Sequence, residues 1–209
     1  MTILALEFSS DRRSVALARG GVVLSEAAEQ TGGRVTNAFG LIENVLAEGK
    51  VAREEIEVMA VGLGPGSYTG IRAAIAVAQG WQLARVIQLL GVGSTEALAA
   101  QAQAENMCGR INVVTDAQRG EFYLAEWEIS ADKRVETGPL RIVTAAEMAA
   151  RTATQQLSVG PAAGKIMYPS AAMIARLAAG RQDFVPGEQL EPIYLRETTF
   201  VKAPIVRRH

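Results

Sequence analysis

A buried strand that runs into a glycine-rich loop and out into a helix constrains this chain more than any other feature. Val58-Met59-Ala60-Val61-Gly62-Leu63 is an apolar run of strand length, followed by Gly64-Pro65-Gly66-Ser67-Tyr68-Thr69-Gly70 and a helical stretch from Ile71 to Ala84. The loop has two readings. In one, glycines allow positive φ and close backbone approach, and the free N–H groups of the helix start favour negative charge. Gly64, Gly66 and the hydroxyl residues Ser67 and Thr69 would then contact an anion or nucleotide. In the other, the loop is a capped left-handed turn with Ser67 or Thr69 as the N-cap. It is not a phosphate-binding P-loop, because no Gly-Lys-Ser/Thr ends it. It is not Gly-x-Gly-x-x-Gly either, because the third glycine, Gly70, falls one place late.

The helix after the loop carries small residues at Gly70, Ala73, Ala76, Gly80 and Ala84, spaced 3, 3, 4 and 4. Such a stripe lets another helix come close, since interaxial distance follows the size of the contacting side chains. It serves either internal packing or a subunit contact. A second candidate for such a contact is the helix expected from Thr36 to Glu48, where Val35, Phe39, Ile42 and Leu46 recur at helical spacing and Gly49 is the stop. The candidate interface is therefore Phe39, Ile42, Leu46, Gly70, Ala73, Ala76, Val77 and Gly80.

The order of segments suggests two related α/β units. Ile3–Leu6, Ser14–Ala18 and Val22–Glu26 read as an antiparallel meander, with Gly20-Gly21 as a tight turn. After the glycine loop, Ile87–Val92 is a strand, and Ser94 or Thr95 is expected to cap a helix through Ala104. Near residue 105 the pattern restarts. Ile111–Thr115 and Glu121–Ile129 flank the turn Asp116–Gly120, Leu140–Val143 is a strand, and Thr144-Ala145-Ala146-Glu147 is a capping box. Leu157–Gly160 is a strand, Ser170–Ala179 a helix, and Pro192–Leu195 a late extended segment. The expected domains are 1–100 and 101–209, with the last segment packing back on the first.

Composition excludes several functions. Hydrophobic residues make up 49% of 209, enough for packed cores, yet no apolar run approaches the roughly 20 residues a membrane helix needs. The net charge of −1 argues against autonomous binding to nucleic acid, which draws on clustered Lys and Arg. Lys202, Arg207, Arg208 and His209 read as a solvated tail. The single histidine, His209, leaves no His-based metal site and no Ser–His or Cys–His pair, and the single Cys108 fits a reducing, cytoplasmic setting. No catalytic residue and no metal ligand is assigned. Glu7 and Asp116, at the ends of the strands opening each half, are the carboxylates best placed to face a cleft between domains. Each holds a Mg²⁺–phosphate group, acts as a base, or caps a turn.

Several blocks together resemble the TsaB (YeaZ) family: Gly64 to Arg72 followed by Ala78-Gln79-Gly80, Ile3 to Leu6 with Ser14 to Leu17, Asp116 to Tyr123, and Glu191 to Arg196, all in the family's order. The resemblance implies an α/β, actin-like fold (the sugar kinase/Hsp70/actin superfamily) of two RNase H-like domains, the second reduced. It implies a non-catalytic partner subunit in the formation of N6-threonylcarbamoyladenosine in tRNA. The implied partners are a TsaD-type catalytic paralogue, bound through the N-terminal domain, and a TsaE-type ATPase. The chain alone would form a homodimer, would meet tRNA only through the complex, and would have no membrane association. TsaD's metal site needs a His-x-x-x-His helix, whereas the corresponding stretch here begins Arg34-Val35-Thr36-Asn37-Ala38. The family's first strand ends Asp-Thr-Ser or Asp-Thr-Ala; here Glu7-Phe8-Ser9 stands there, and bulky Phe8 and long Glu7 are expected where a phosphate loop would lie. No cofactor is therefore expected in this chain, and ATP or ADP at a shared subunit interface is left open. The stretch from Gly160 to Gly187 is shorter than in the family. Two rival readings are a metallopeptidase and a free-standing small-molecule kinase of the same fold.

Overall fold

The computed structural model describes residues 1–32, 36–153 and 156–196. The dipeptide Arg34-Val35 and the basic tail from Lys202 to His209 lie outside the described residues. The first sheet holds β1 (Thr2–Glu7), β2 (Arg12–Arg19), β3 (Val22–Gln30), β4 (Val58–Gly62) and β5 (Gln88–Val92), in the order β3-β2-β1-β4-β5. The second holds β6 (Gly109–Asp116), β7 (Glu121–Ile129), β8 (Arg134–Thr144), β9 (Leu157–Gly160) and β10 (Lys165–Ile166), in the order β10-β9-β6-β7-β8. Read from its other edge, the second order repeats the first. In each sheet the opening strand is antiparallel to the next strand and parallel to the strand after the crossover: β1 with β2 and β4, β6 with β7 and β9.

Strand alternation sorts the first sheet's side chains onto two faces. Leu4, Leu6, Phe8, Val15, Leu17, Met59 and Val61 join the core beneath α1 (Ala38–Gly49) and α2 (Tyr68–Ala84). Ile3, Ala5, Ala16, Ala18, Val58 and Ala60 face the other way, against Ala171, Ile174, Ala175 and Ala178 of α5 (Ala171–Ala178). Alanine on both sides of that contact lets the helix sit close to the sheet. Thus α5, from the C-terminal half of the sequence, packs on the first sheet. Helix α3 (Ser94–Ala104) lies between the sheets: Ala97 and Ala100 face the first, and Leu98, Ala99 and Ala102 face Ile111, Val113 and Trp127 of the second. The second sheet's outer face carries α4 (Ala145–Ala153), where Glu147 N–H donates to Thr144 Oγ1 at 3.3 Å as the capping box requires.

Several boundaries differ from expectation. Helix α1 begins after Asn37, whose side chain accepts from Gly40 N–H, and it ends on Lys50 in a left-handed conformation (φ 52°) in place of a Gly49 stop. Neither Ser94 nor Thr95 caps α3; its N-cap is Gly93, because the Ser94 hydroxyl is engaged elsewhere. Strand β8 starts at Arg134, six residues before the apolar run that announced it. Among the described residues no helix is long and apolar enough to cross a membrane.

Candidate functional site

The glycine loop is fastened on two sides. Leu63 N–H donates to Val92 O at 2.9 Å, Gly64 N–H to Ser94 Oγ at 3.1 Å, and Ser94 N–H returns to Gly64 O at 2.8 Å. Ser67 N–H donates to Ser9 O at 2.7 Å, and the Ser67 hydroxyl caps α2 by accepting from Gly70 N–H at 3.3 Å. Two glycines are required by close approach. A Cβ on Gly66, at φ +152°, would stand 2.1 Å from Ser9 O, and one on Gly70 would stand 2.1 Å from Phe8 O. The end of β1, the loop and the start of α2 are therefore held as one packed unit, which is the capped-turn reading of the sequence.

Beneath the loop lies Glu7, fully buried. Its carboxylate accepts from Ser9 N–H at 2.7 Å and from the Ser94 hydroxyl at 2.8 Å. Burial pushes its pKa up, and the hydrogen bonds from Ser9 and Ser94 offset part of that rise. Glu7 points to the α3 side of the sheet and Phe8, also fully buried, to the α1–α2 side. The expectation that these two side chains fill the place of a phosphate loop is corrected: strand alternation turns both away from the cleft, and Glu7 is not available to a ligand there.

Between the two sheets opens a cleft of about 800 Å³. Its first wall comes from Ser9, Ser10 and Asp11 after β1 and from Gly66, Ser67, Tyr68 and Thr69. Its second comes from Thr115 to Arg119 and Tyr123. Of the sequence candidates for anion contact, Gly66, Ser67 and Thr69 thus reach the cleft, whereas Gly64 is buried beneath it with its N–H on Ser94. Asp116 lines the cleft, but its carboxylate accepts from Gln118 N–H at 2.7 Å and Gln118 Nε2 at 2.8 Å, as a turn cap does. All four tyrosines of the chain, Tyr68, Tyr123, Tyr168 and Tyr194, line this one cleft. Tyr68 and Tyr194 stack with ring centroids 5.1 Å apart, and the Arg72 guanidinium lies 5.4 Å from the Tyr68 centroid. Sequence reasoning missed this cluster. The tyrosines stand in separate blocks, and nothing local says that those blocks meet.

The candidate interface divides in two. Ile42 (0% exposed) and Leu46 (5%) are core residues on the inner face of α1, and Gly70 is pressed onto Phe8, so these three belong to the interior, which corrects their assignment to a subunit contact. Phe39 is 66% exposed; Ala73, Ala76 and Gly80 are exposed along α2 with Val77 half-buried beside them. Leu83 and Val86 continue the apolar strip at the end of the helix, almost bare. Helices α1 and α2 lie on the same face of the first sheet, so Phe39 and the α2 strip look outward from one layer.

Two sheets of this shared order, with a ligand-sized cleft between the ends of their opening strands, define an actin-like protein of two RNase H-like units. The family model described as TsaD, tRNA N6-adenosine threonylcarbamoyltransferase, matches residues 2–183. The chain belongs to that family, on its TsaB (YeaZ) side. It is 30% identical over 128 residues to the tRNA threonylcarbamoyladenosine biosynthesis protein TsaB of Escherichia coli K12, an alignment covering 61% of this chain and 55% of that protein. With the Bacillus subtilis protein of the same name it shares 31% over 124 residues, 59% of this chain and 53% of that one. The chain thus spans little more than half the length of these curated relatives. The solved structure of YeaZ from Pseudomonas aeruginosa superposes with a TM-score of 0.76 at 25% identity, covering 93% of this chain and 99% of that one. A second Pseudomonas aeruginosa structure, described as similar to the peptidase YeaZ, gives 0.80 at 25% identity, with the same coverage.

Proposed function

We propose that this chain is a non-catalytic partner subunit that supports a TsaD-type enzyme in forming N6-threonylcarbamoyladenosine in tRNA, with a TsaE-type ATPase in the same assembly. The observation that carries the reading is the outward strip on α2: Ala73, Ala76 and Gly80 are exposed small residues on a helix whose opposite side is packed on the sheet. Small side chains allow a partner helix to approach closely, and the neighbouring Phe39 supplies a bulky anchor. Relatives named for threonylcarbamoyladenosine biosynthesis support the same reading. In the absence of its partner the strip would be covered by a second copy, giving a homodimer. The direct test is deletion of the gene in its host followed by mass spectrometry of tRNA nucleosides. Loss of threonylcarbamoyladenosine, restored by the wild-type gene, is expected; an unchanged level contradicts the proposal.

A second reading, a small-molecule kinase of the same fold, is favoured by one observation: Phe8 turns into the core and leaves the cleft open. Calorimetry of the isolated chain with Mg-ATP separates the two. Micromolar binding supports the kinase, and no heat supports the partner subunit.

A further inference from the structure

The chain passes between the two sheets covalently twice, at 105–108 after α3 and at 167–170 before α5. A third link is noncovalent. After α5 the chain runs back over the first sheet's unit and is fastened at every step. Val185 N–H donates to Leu89 O at 2.9 Å, Gln79 Nε2 to Gly187 O at 2.7 Å, and Gly187 N–H to Gln82 Oε1 at 2.9 Å. Leu190, 3% exposed, enters the first core. Ile193 N–H donates to Leu63 O at 2.9 Å, and Tyr194 stacks on Tyr68. Then Arg196 leaves that unit. Its guanidinium donates to Ala117 O at 3.1 Å and pairs with Glu121, both at the β6–β7 turn of the second sheet.

We propose that residues 190–196 form a strap across the cleft mouth, and that Arg196 is its clasp: the clasp holds the two units closed on each other, and its release lets the cleft open. The two ends of the strap differ in kind. The end on the first unit rests on a buried leucine, backbone hydrogen bonds and a ring stack, none of which salt screens. The end on the second unit is an ion pair with side chains 32% and 36% exposed, a type of contact that is weak singly and sensitive to ionic strength. The clasp is therefore where the strap lets go. Asn106 (φ 59°) and Gly109 (φ 99°) bracket the passage from α3 into β6 at the other end of the second sheet, and on this proposal the opening pivots there. Arg196 and Tyr194 themselves line the cleft, so opening changes the cleft's wall as well as its width.

The test places one spin label on each unit, at Gln30 at the end of β3 and at Ala146 in α4, both exposed, in a Cys108→Ser background of the full chain. Double electron–electron resonance then reads the distance between them. With Arg196 intact at low salt a single narrow distribution is expected. In Arg196→Ala and in Glu121→Gln it should broaden and move to longer distances, and Arg196→Lys should recover part of the closed population. Circular dichroism and thermal melting establish that each variant is folded. The unsubstituted clasp supplies an independent reading that needs no such variant: at about 1 M salt, where the Debye length shrinks to roughly 3 Å, its distribution should lengthen. Unchanged distances in the folded Arg196→Ala protein, or no change with salt, would overturn the proposal.

Discussion

The two sheets share one strand order but differ in what covers them. The first is enclosed: α1 and α2 lie on one face, α3 and α5 on the other. The second has α3 on its inner face, but among the described residues only α4 outside, over a core of four buried side chains, Val114, Leu124, Val143 and Met148. The difference arises at one connection. Between β4 and β5 the chain forms the 17-residue α2; between β9 and β10 it forms only the turn 161–164. Each unit also has a glycine held against a backbone oxygen of its opening segment, although the two stand at different places: Gly66 in the loop after β4, Gly160 at the last residue of β9. Gly66 lies against Ser9 O, and Gly160 (φ +136°) lies against Val114 O; a Cβ would stand 2.1 Å from the oxygen at either position. Each unit thus has a close backbone passage after its crossover, and only the first follows it with a helix before the next strand. Among the described residues the outward strip of small residues therefore exists on the first unit and has no counterpart on the second.

Core truncation should separate the units most. Phe8→Ala removes a fully buried ring from the larger cluster and should cost about 3–5 kcal/mol, whereas Met148→Ala, in the four-residue cluster, should cost about 2 kcal/mol. Urea denaturation measures both; equal losses would erase the asymmetry. Gly66→Ala and Gly160→Ala should follow, each costing about 1–3 kcal/mol, because the added methyl meets a backbone oxygen that cannot step aside. A silent Gly160→Ala would show that the second unit accepts a side chain at its close passage.

The smallest stability effect concerns pH. Burial raises the pKa of Glu7, so the stability it contributes is complete below its unfolded pKa and is lost as pH rises through its folded value. Glu7→Gln keeps the shape and can still accept from Ser9 N–H. It should match the parent at acid pH, be at least as stable at neutral pH, and flatten the profile of unfolding free energy against pH. A variant weaker than the parent only at neutral pH would show that the ionised carboxylate holds Ser9 and Ser94 favourably.

Much of this was legible in the sequence. The opening meander, the strand–glycine loop–helix unit and the restart near residue 105 follow from apolar runs and turn residues, which act locally. A hydroxyl cap for α2 at Ser67 or Thr69 was readable for the same reason, and the structure picks Ser67. Side-chain direction was readable in part: the alternation of Leu4, Leu6 and Phe8 already puts Phe8 on the core face, whereas bulk alone says nothing of direction. In α1 the apolar residues cover a wide arc, and only the sheet decides that Leu41, Ile42, Val45 and Leu46 face inward while Phe39 faces out. The engagement of Ser94 by Glu7 and Gly64, and of Arg196 by Glu121, spans 30 to 87 residues in sequence, and no local pattern reports such pairings.

The central claim is that the outer face of α2 is the docking surface. It is tested most directly by titrating the TsaD-type paralogue from the same host against three forms of this chain: wild type, Ala76→Glu, and Ala150→Glu as a control at an exposed position on the second unit. A charge driven into a close helix contact is left without a partner, so Ala76→Glu should abolish binding while Ala150→Glu binds as wild type does. Wild-type affinity in a folded Ala76→Glu protein would contradict the account.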